Sequence, residues 1–261
     1  MTETYLHKLD NNPYTNIAWN VPEQKQGKLA VIGGNSQSFR TPVRVAEWVS
    51  KNYPVREVQV VLPDALASKL PELPSVTYLH STESGSFAES DELMRVMNEA
   101  DVTLVVGDVS KNAITGKALA EACVAAEKYV VVTRDAVDAL SENMPERWLM
   151  NPNITLMGSV AQLQKLLRAV YYPKILMMSQ SLVQVAEVLH KFTLSYPVDV
   201  VTFHNGQIIV AHGGEINVVP LEKSGASVLM LWGGELAAKI ACLSLYSPGS
   251  EFEAATSAFF R

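Results

Sequence analysis

Gly27-Lys28-Leu29-Ala30-Val31-Ile32-Gly33-Gly34-Asn35-Ser36 is the stretch whose reading decides the fold. A continuous apolar run closed by paired glycines predicts a strand buried on both faces, the state of strands in a helix-covered parallel sheet. The glycines let the backbone approach a ligand closely, and their free amides can hold anionic oxygens; the other reading is a plain strand-to-helix turn. Outward from this run the pattern repeats. Residues 41–52 read as a helix with Pro42 in its first turn and Val45, Trp48 and Val49 on one face. Strands are expected at 57–62, 76–79, 102–106, 129–132, 154–157 and 174–178, and helices at 90–100, 114–127, 160–170 and 181–192.

Toward the C-terminus the rhythm changes. Strands at 199–203, 207–211 and 216–219 follow in quick succession, separated by Asn205-Gly206 and Gly213-Gly214, dipeptides that favour tight hairpins. Two helices, at about 234–245 and 250–260, close the chain. The expected fold class is α/β, with a mainly parallel central sheet, helices on both faces and a C-terminal antiparallel hairpin region. No repeat or low-complexity tract divides residues 1–261, which read as one domain with 1–26 as an N-terminal extension.

Composition excludes several classes. Hydrophobic residues at 48% and charged residues at 18% exclude a disordered chain. A net charge of −6, with no Lys/Arg cluster longer than a pair, argues against a nucleic-acid partner. No stretch reaches the roughly 20 consecutive apolar residues of a membrane helix, and Met1 to Asn20 lacks a signal-type apolar core. Cys123 and Cys242 lack metal-ligand spacing and read as buried, reduced thiols, so a cytoplasmic protein is expected.

In a parallel sheet, ligands bind where the carboxyl ends of the strands meet loops and helix N-termini. Gly33, Gly34, Asn35 and Ser36 form one such loop. In the second, Gly107-Asp108-Val109-Ser110-Lys111, Asp108 and Lys111 either touch a ligand or make a turn and cap the next helix. The third, Trp232-Gly233-Gly234-Glu235, opens an apolar helix, and glycines there make an anion site through geometry and dipole. Glu235 either accepts a proton in catalysis or complements that dipole. The histidines show no metal-binding spacing; His7, His80 and His190 read as exposed or structural, and no metal site is expected. Hydrolase-elbow, Walker and strict Gly-x-Gly-x-x-Gly signatures are absent from the sequence.

The order of these loops resembles the ribokinase-like superfamily, and within it the ADP- or ATP-dependent NAD(P)H-hydrate dehydratases, from about Gln26 to the end of the chain. Residues 27–36 are similar to the group's "GKVLVIGGS" opening, and Val105-Val106-Gly107-Asp108 falls at its "GPGLG" loop. Residues 131–140 resemble "VLDADAL", with Asp135 or Asp138 at the acidic positions, and residues 231–238 sit at "GTGDVLAG". Phe252-Glu253-Ala254-Ala255 resembles the final helix. The resemblance implies a three-layer α/β/α sandwich that binds ATP or ADP with Mg at the loop Trp232, Gly233, Gly234. It implies a substrate, NAD(P)H hydrate, at Gly33, Gly34, Asn35, Ser36, Gly107, Asp108 and Asp135, and a homo-oligomeric assembly.

The family's motifs are altered at three places. Aligning Leu236-Ala237 with "LA" puts Gly234 at the general-base aspartate, and Glu235 leaves the helix about 100° away. The "HPGE" segment is Leu156-Met157-Gly158-Ser159-Val160, and "KG" is Phe203-His204. Three expectations follow: a nucleotide-binding relative of the dehydratases with eroded catalysis, an inactive binding or assembly module, and a small-molecule kinase with Glu235 as displaced base. Retained glycines favour a surviving pocket, and bulky Trp232 favours the inactive module. Phe259 and Phe260 either face a partner copy or pack on their own domain.

Overall fold

The opening run forms strand β2 (Gln26–Gly33), whose last five residues are buried. The computed structural model describes residues 4–70, 75–224 and 227–260. Beside β2 lie β3 (Val55–Pro63) and β4 (Val76–Leu79) on one side, and β5 (Val102–Gly107), β6 (Tyr129–Thr133), β7 (Ile154–Met157) and β8 (Asp199–His204) on the other. Then come β9 (Gln207–His212), β10 (Glu215–Pro220) and β1 (Leu6–Lys8), in the order β1-β10-β9-β8-β7-β6-β5-β2-β3-β4. Among the named strands of the described residues, only β8–β9 and β9–β10 pair antiparallel, as their Asn-Gly and Gly-Gly turns predict.

Alternation along each strand divides the interior into two layers. In β6, Val130 and Val132 join one apolar cluster and Val131 the other. The first cluster takes its helical wall mainly from α3 (Ser90–Glu99), α4 (Ala113–Ala125), α5 (Asp135–Ser141), α7 (Val160–Ala169) and α8 (Leu182–Ser195). The second takes it from α1 (Thr15–Trp19), α2 (Arg40–Asn52), α10 (Glu235–Tyr246) and α11 (Glu251–Ser257). Each fully buried Val or Leu contributes about 1.5–3 kcal/mol, which is why so continuous an apolar pattern demands a three-layer sandwich. Phe259 and Phe260 are buried in the second layer, so they offer no face to a second copy. Both cysteines are buried and unpaired.

Several expectations are corrected. Residues 174–178 form no strand: β7 and β8 pair with each other directly, which leaves no place between them for another. Leu176 is buried there, while Ile175, Met177 and Met178 remain exposed. Residues 135–148 hold α5 and a short helix, α6 (Pro145–Trp148), which the local pattern had hidden. The run 228–233 is a helix of its own, α9 (Val228–Gly233), ahead of α10. The N-terminal segment joins the sheet, because β1 pairs parallel with β10. Among the described residues no helix is long and apolar enough to cross a membrane.

Strand order sets the crevice. From β2 the chain moves outward through β3 and β4, then returns to β5 on the opposite side of β2 and continues to β8. Loops leaving β2 and β5 therefore part at their carboxyl ends, the topological switch point where open α/β sheets take ligands.

Candidate functional site

At the switch point the backbone itself requires glycine. Gly34 N donates to Gly107 O at 3.0 Å, and a Cβ on Gly33 would overlap that same carbonyl. Gly107 has φ +94, and a Cβ there would collide with Asp135 Oδ1. The two strand ends are thus stitched together with no room for side chains, which explains two glycine positions chosen from sequence alone.

The polar groups converge on Asp108. Its amide donates to Asp135 Oδ1 at 2.8 Å, and its carbonyl accepts from Asn35 Nδ2 at 2.6 Å. Its carboxylate accepts from Thr41 N at 3.2 Å and from Arg134 Nη2 at 3.0 Å. Burial pushes the Asp135 carboxyl above the usual range, against the hydrogen bond from Asp108 that lowers it. Asp138 turns elsewhere: it accepts from Gln162 Nε2 at 2.7 Å and Lys165 Nζ at 2.6 Å. Ser36 braces the 80–89 loop instead, its hydroxyl donating to Ser84 O at 3.0 Å.

Across the crevice stand Trp232, Gly233, Gly234 and Glu235, where α9 ends and α10 begins. Gly234 has φ +96, and a Cβ there would lie 2.7 Å from Val106 Cγ2, so the junction packs on the end of β5. Two arginines hold the final carbonyls of α9: Arg134 Nη1 donates to Trp232 O, and Arg44 Nη2 to Gly233 O at 2.7 Å. Cations suit a helix C-terminus. The first intrahelical bond of α10 runs from Ala238 N to Gly234 O at 3.0 Å, leaving the amides of residues 235–237 without a partner among the described residues.

Glu235 folds back over Gly233, its carboxylate where a Cβ of that residue would stand. Oε1 pairs with Arg44 Nη1 at 3.1 Å, and Oε2 is buried with no partner among the described residues. Trp232 is 42% exposed and, with Met157, Gly158, Val201, Thr202 and Phe203, encloses a slot at the ends of β7 and β8.

The structure therefore brings together Gly33, Gly34, Asn35, Gly107, Asp108 and Asp135, and links them through Arg134 to Trp232. Arg44, Thr41 and Arg134 were not foreseen. The signal for Arg134 was present: a lone cation directly after a buried strand and before an acid that opens a helix. Among the described residues no group of three His, Cys, Asp or Glu could hold a metal ion. His204 is buried with Nε2 2.7 Å from Gln180 O, and His212 pairs with the buried Asp199, a role that sequence spacing had not suggested.

By sequence the chain matches no family model and no curated protein. By structure it is similar to a ribokinase-like superfamily protein of Enterococcus faecalis V583, with a TM-score of 0.67 and 16% identity over 99% of this chain and 88% of that one. It is similar to YxkO of Bacillus subtilis, a member of the UPF0031 family, with a TM-score of 0.60 and 12% identity over 96% and 87%. An ADP complex of Bacillus subtilis pyridoxal kinase gives a TM-score of 0.53 and 12% identity over 90% and 89%. Likeness of this extent establishes the architecture: the protein has the ribokinase-like α/β fold, a mostly parallel sheet between two helical layers.

Proposed function

We propose that the protein binds ATP or ADP with magnesium at the α9–α10 junction, as a ribokinase-like relative of the NAD(P)H-hydrate dehydratases with altered catalysis. The observation that carries this reading is the junction itself. Gly234 sits in a conformation and a space that exclude a side chain, the first amides of α10 have no partner among the described residues, and Arg44 and Arg134 stand beside them. Such a constellation suits phosphate oxygens. Among the described residues no cluster of three His, Cys, Asp or Glu stands ready for a metal ion, and in this reading magnesium enters on the nucleotide's phosphates.

The nucleotide, when bound, supplies a phosphoryl group that turns a substrate hydroxyl into a leaving group. The chain's own part is to position and to move a proton. Gly33-Gly34, Asn35 and Gly107-Asp108 form the substrate wall. Asp135, whose proton affinity is raised by burial, is the carboxyl best placed there to exchange a proton. Glu235 is turned back over Gly233 toward Arg44, away from the substrate wall, so it is not the base we assign. Missing the family's aspartate, catalysis should fall about 10²- to 10⁴-fold.

An assay of hydrated NADH with Mg-ATP or Mg-ADP tests the chemistry. Slow nucleotide-dependent repair, with Glu235→Gln changing the rate less than about tenfold, is the expected result. Abolition of turnover in Glu235→Gln would favour the displaced-base kinase. Absence of turnover despite nucleotide binding would favour the second reading, an inactive binding module, which the crevice-bridging Arg134 and bulky Trp232 support.

A further inference from the structure

We propose that Arg134 is a positioning residue that latches the crevice: it ties the α9–α10 junction across the strand ends, and ligand entry breaks the tie. The proposal rests on the crevice being a ligand site and concerns how that site opens.

Arg134 is an unusual choice for a mere helix cap. It has φ +60 and ψ −139, a backbone region that side chains rarely adopt. Gln162 Nε2 holds it there by donating to its carbonyl at 2.7 Å. From this strained position the guanidinium spans two elements, Nη2 on Asp108 at 3.0 Å and Nη1 on the Trp232 carbonyl. Its Nε is buried without a partner among the described residues.

A tight slot also lies beneath Trp232 at the ends of β7 and β8. It has room for no more than about one water. A strained backbone and an orphaned guanidinium Nε beside one cross-crevice hydrogen bond mark an element with a second arrangement. A phosphate oxygen is a stronger acceptor for a guanidinium than a backbone carbonyl is, because the bond is charge-assisted at both ends. An anion entering the crevice would therefore draw Arg134 off Trp232, free the junction and uncover the slot.

Acrylamide quenching of Trp232 emission tests this, each spectrum being corrected with the matching Trp232→Phe protein. In unliganded Arg134→Gln and Arg134→Lys the quenching constant should rise about twofold or more, and amide exchange at 229–235 should accelerate. The lysine variant keeps the charge but cannot span both partners, so it carries the test if the glutamine variant fails to fold. A lowered melting temperature with unchanged quenching and exchange would make Arg134 a structural cap and overturn the latch. Mg-ADP added to the wild-type protein should produce the same loosening. Loosening in the variants with no Mg-ADP binding would remove the nucleotide reading and leave the latch standing.

Discussion

At the scale of single residues, the crevice is defined by what cannot be there. A methyl group on Gly107 would collide with Asp135 Oδ1 at a φ of +94, so Gly107→Ala should destabilise by at least about 2 kcal/mol in urea unfolding. An unchanged midpoint would mean that the β5 loop is not the rigid seam described. Glu235→Gln should cost under about 1 kcal/mol, since Arg44 is half exposed and such pairs are weak. Glycines were legible because a tight strand-to-helix turn leaves few other choices. Arg134 and Arg44 were not, because a cation's partners here are carbonyls 98 and 189 residues distant, invisible to local pattern.

At the scale of elements, α5 and α6 were missed and a strand was expected at 174–178, while the strands β2 to β8 and the helices α2, α3, α4, α7 and α8 were read almost as they stand. The Ser159 capping box at α7 shows why: Ser159 Oγ accepts from Gln162 N, and Gln162 Oε1 accepts from Ser159 N at 3.0 Å. Gln162 also reaches Arg134 and Asp138, so Gln162→Ala should lose about 1–3 kcal/mol and loosen the Arg134 turn, measured by urea unfolding and amide exchange. The failed strand at 174–178 had the right composition, but a strand needs a free sheet edge as well as apolar residues, and β7–β8 pairing removes it. The β8–β9 hairpin adds a pH-sensitive contact. His212 Nδ1 faces Asp199, whose other oxygen accepts from Thr155 at 3.2 Å and Tyr129 at 3.3 Å, with Glu251 and Glu253 of α11 nearby. The Asp199 carboxylate, through its hydrogen bond and charge, raises the His212 pKa above the ordinary 6.5. The charged pair therefore stabilises from pH 6.5 down to where the Asp199 carboxyl, itself raised by burial, takes up a proton, and weakens as pH rises through the raised His212 value. Half-exposure of the imidazole limits this to under about 1 kcal/mol. In His212→Gln, the fall in stability from pH 6 to pH 9 should be correspondingly smaller.

At the scale of the whole molecule, the sheet ends where the N-terminal segment covers it. Ile216 N donates to Tyr5 O and Leu9 N to Val218 O, both at 2.8 Å, and the Tyr5 ring stacks on His190 at 3.8 Å. Deleting residues 1–10 should bare the β10 edge, lower the urea midpoint and promote self-association in sedimentation runs. The layered α/β plan was legible because apolar periodicity is a property of whole strands. The closing of its crevice was not, because that depends on how α9 and α10 meet.

Calorimetric titration with Mg-ATP and Mg-ADP tests the central claim most directly. Micromolar binding, weakened in Gly234→Ala, would mean that the junction holds phosphate despite losing the family's aspartate. No heat with either nucleotide would contradict the account and leave a ribokinase-like scaffold used for other work.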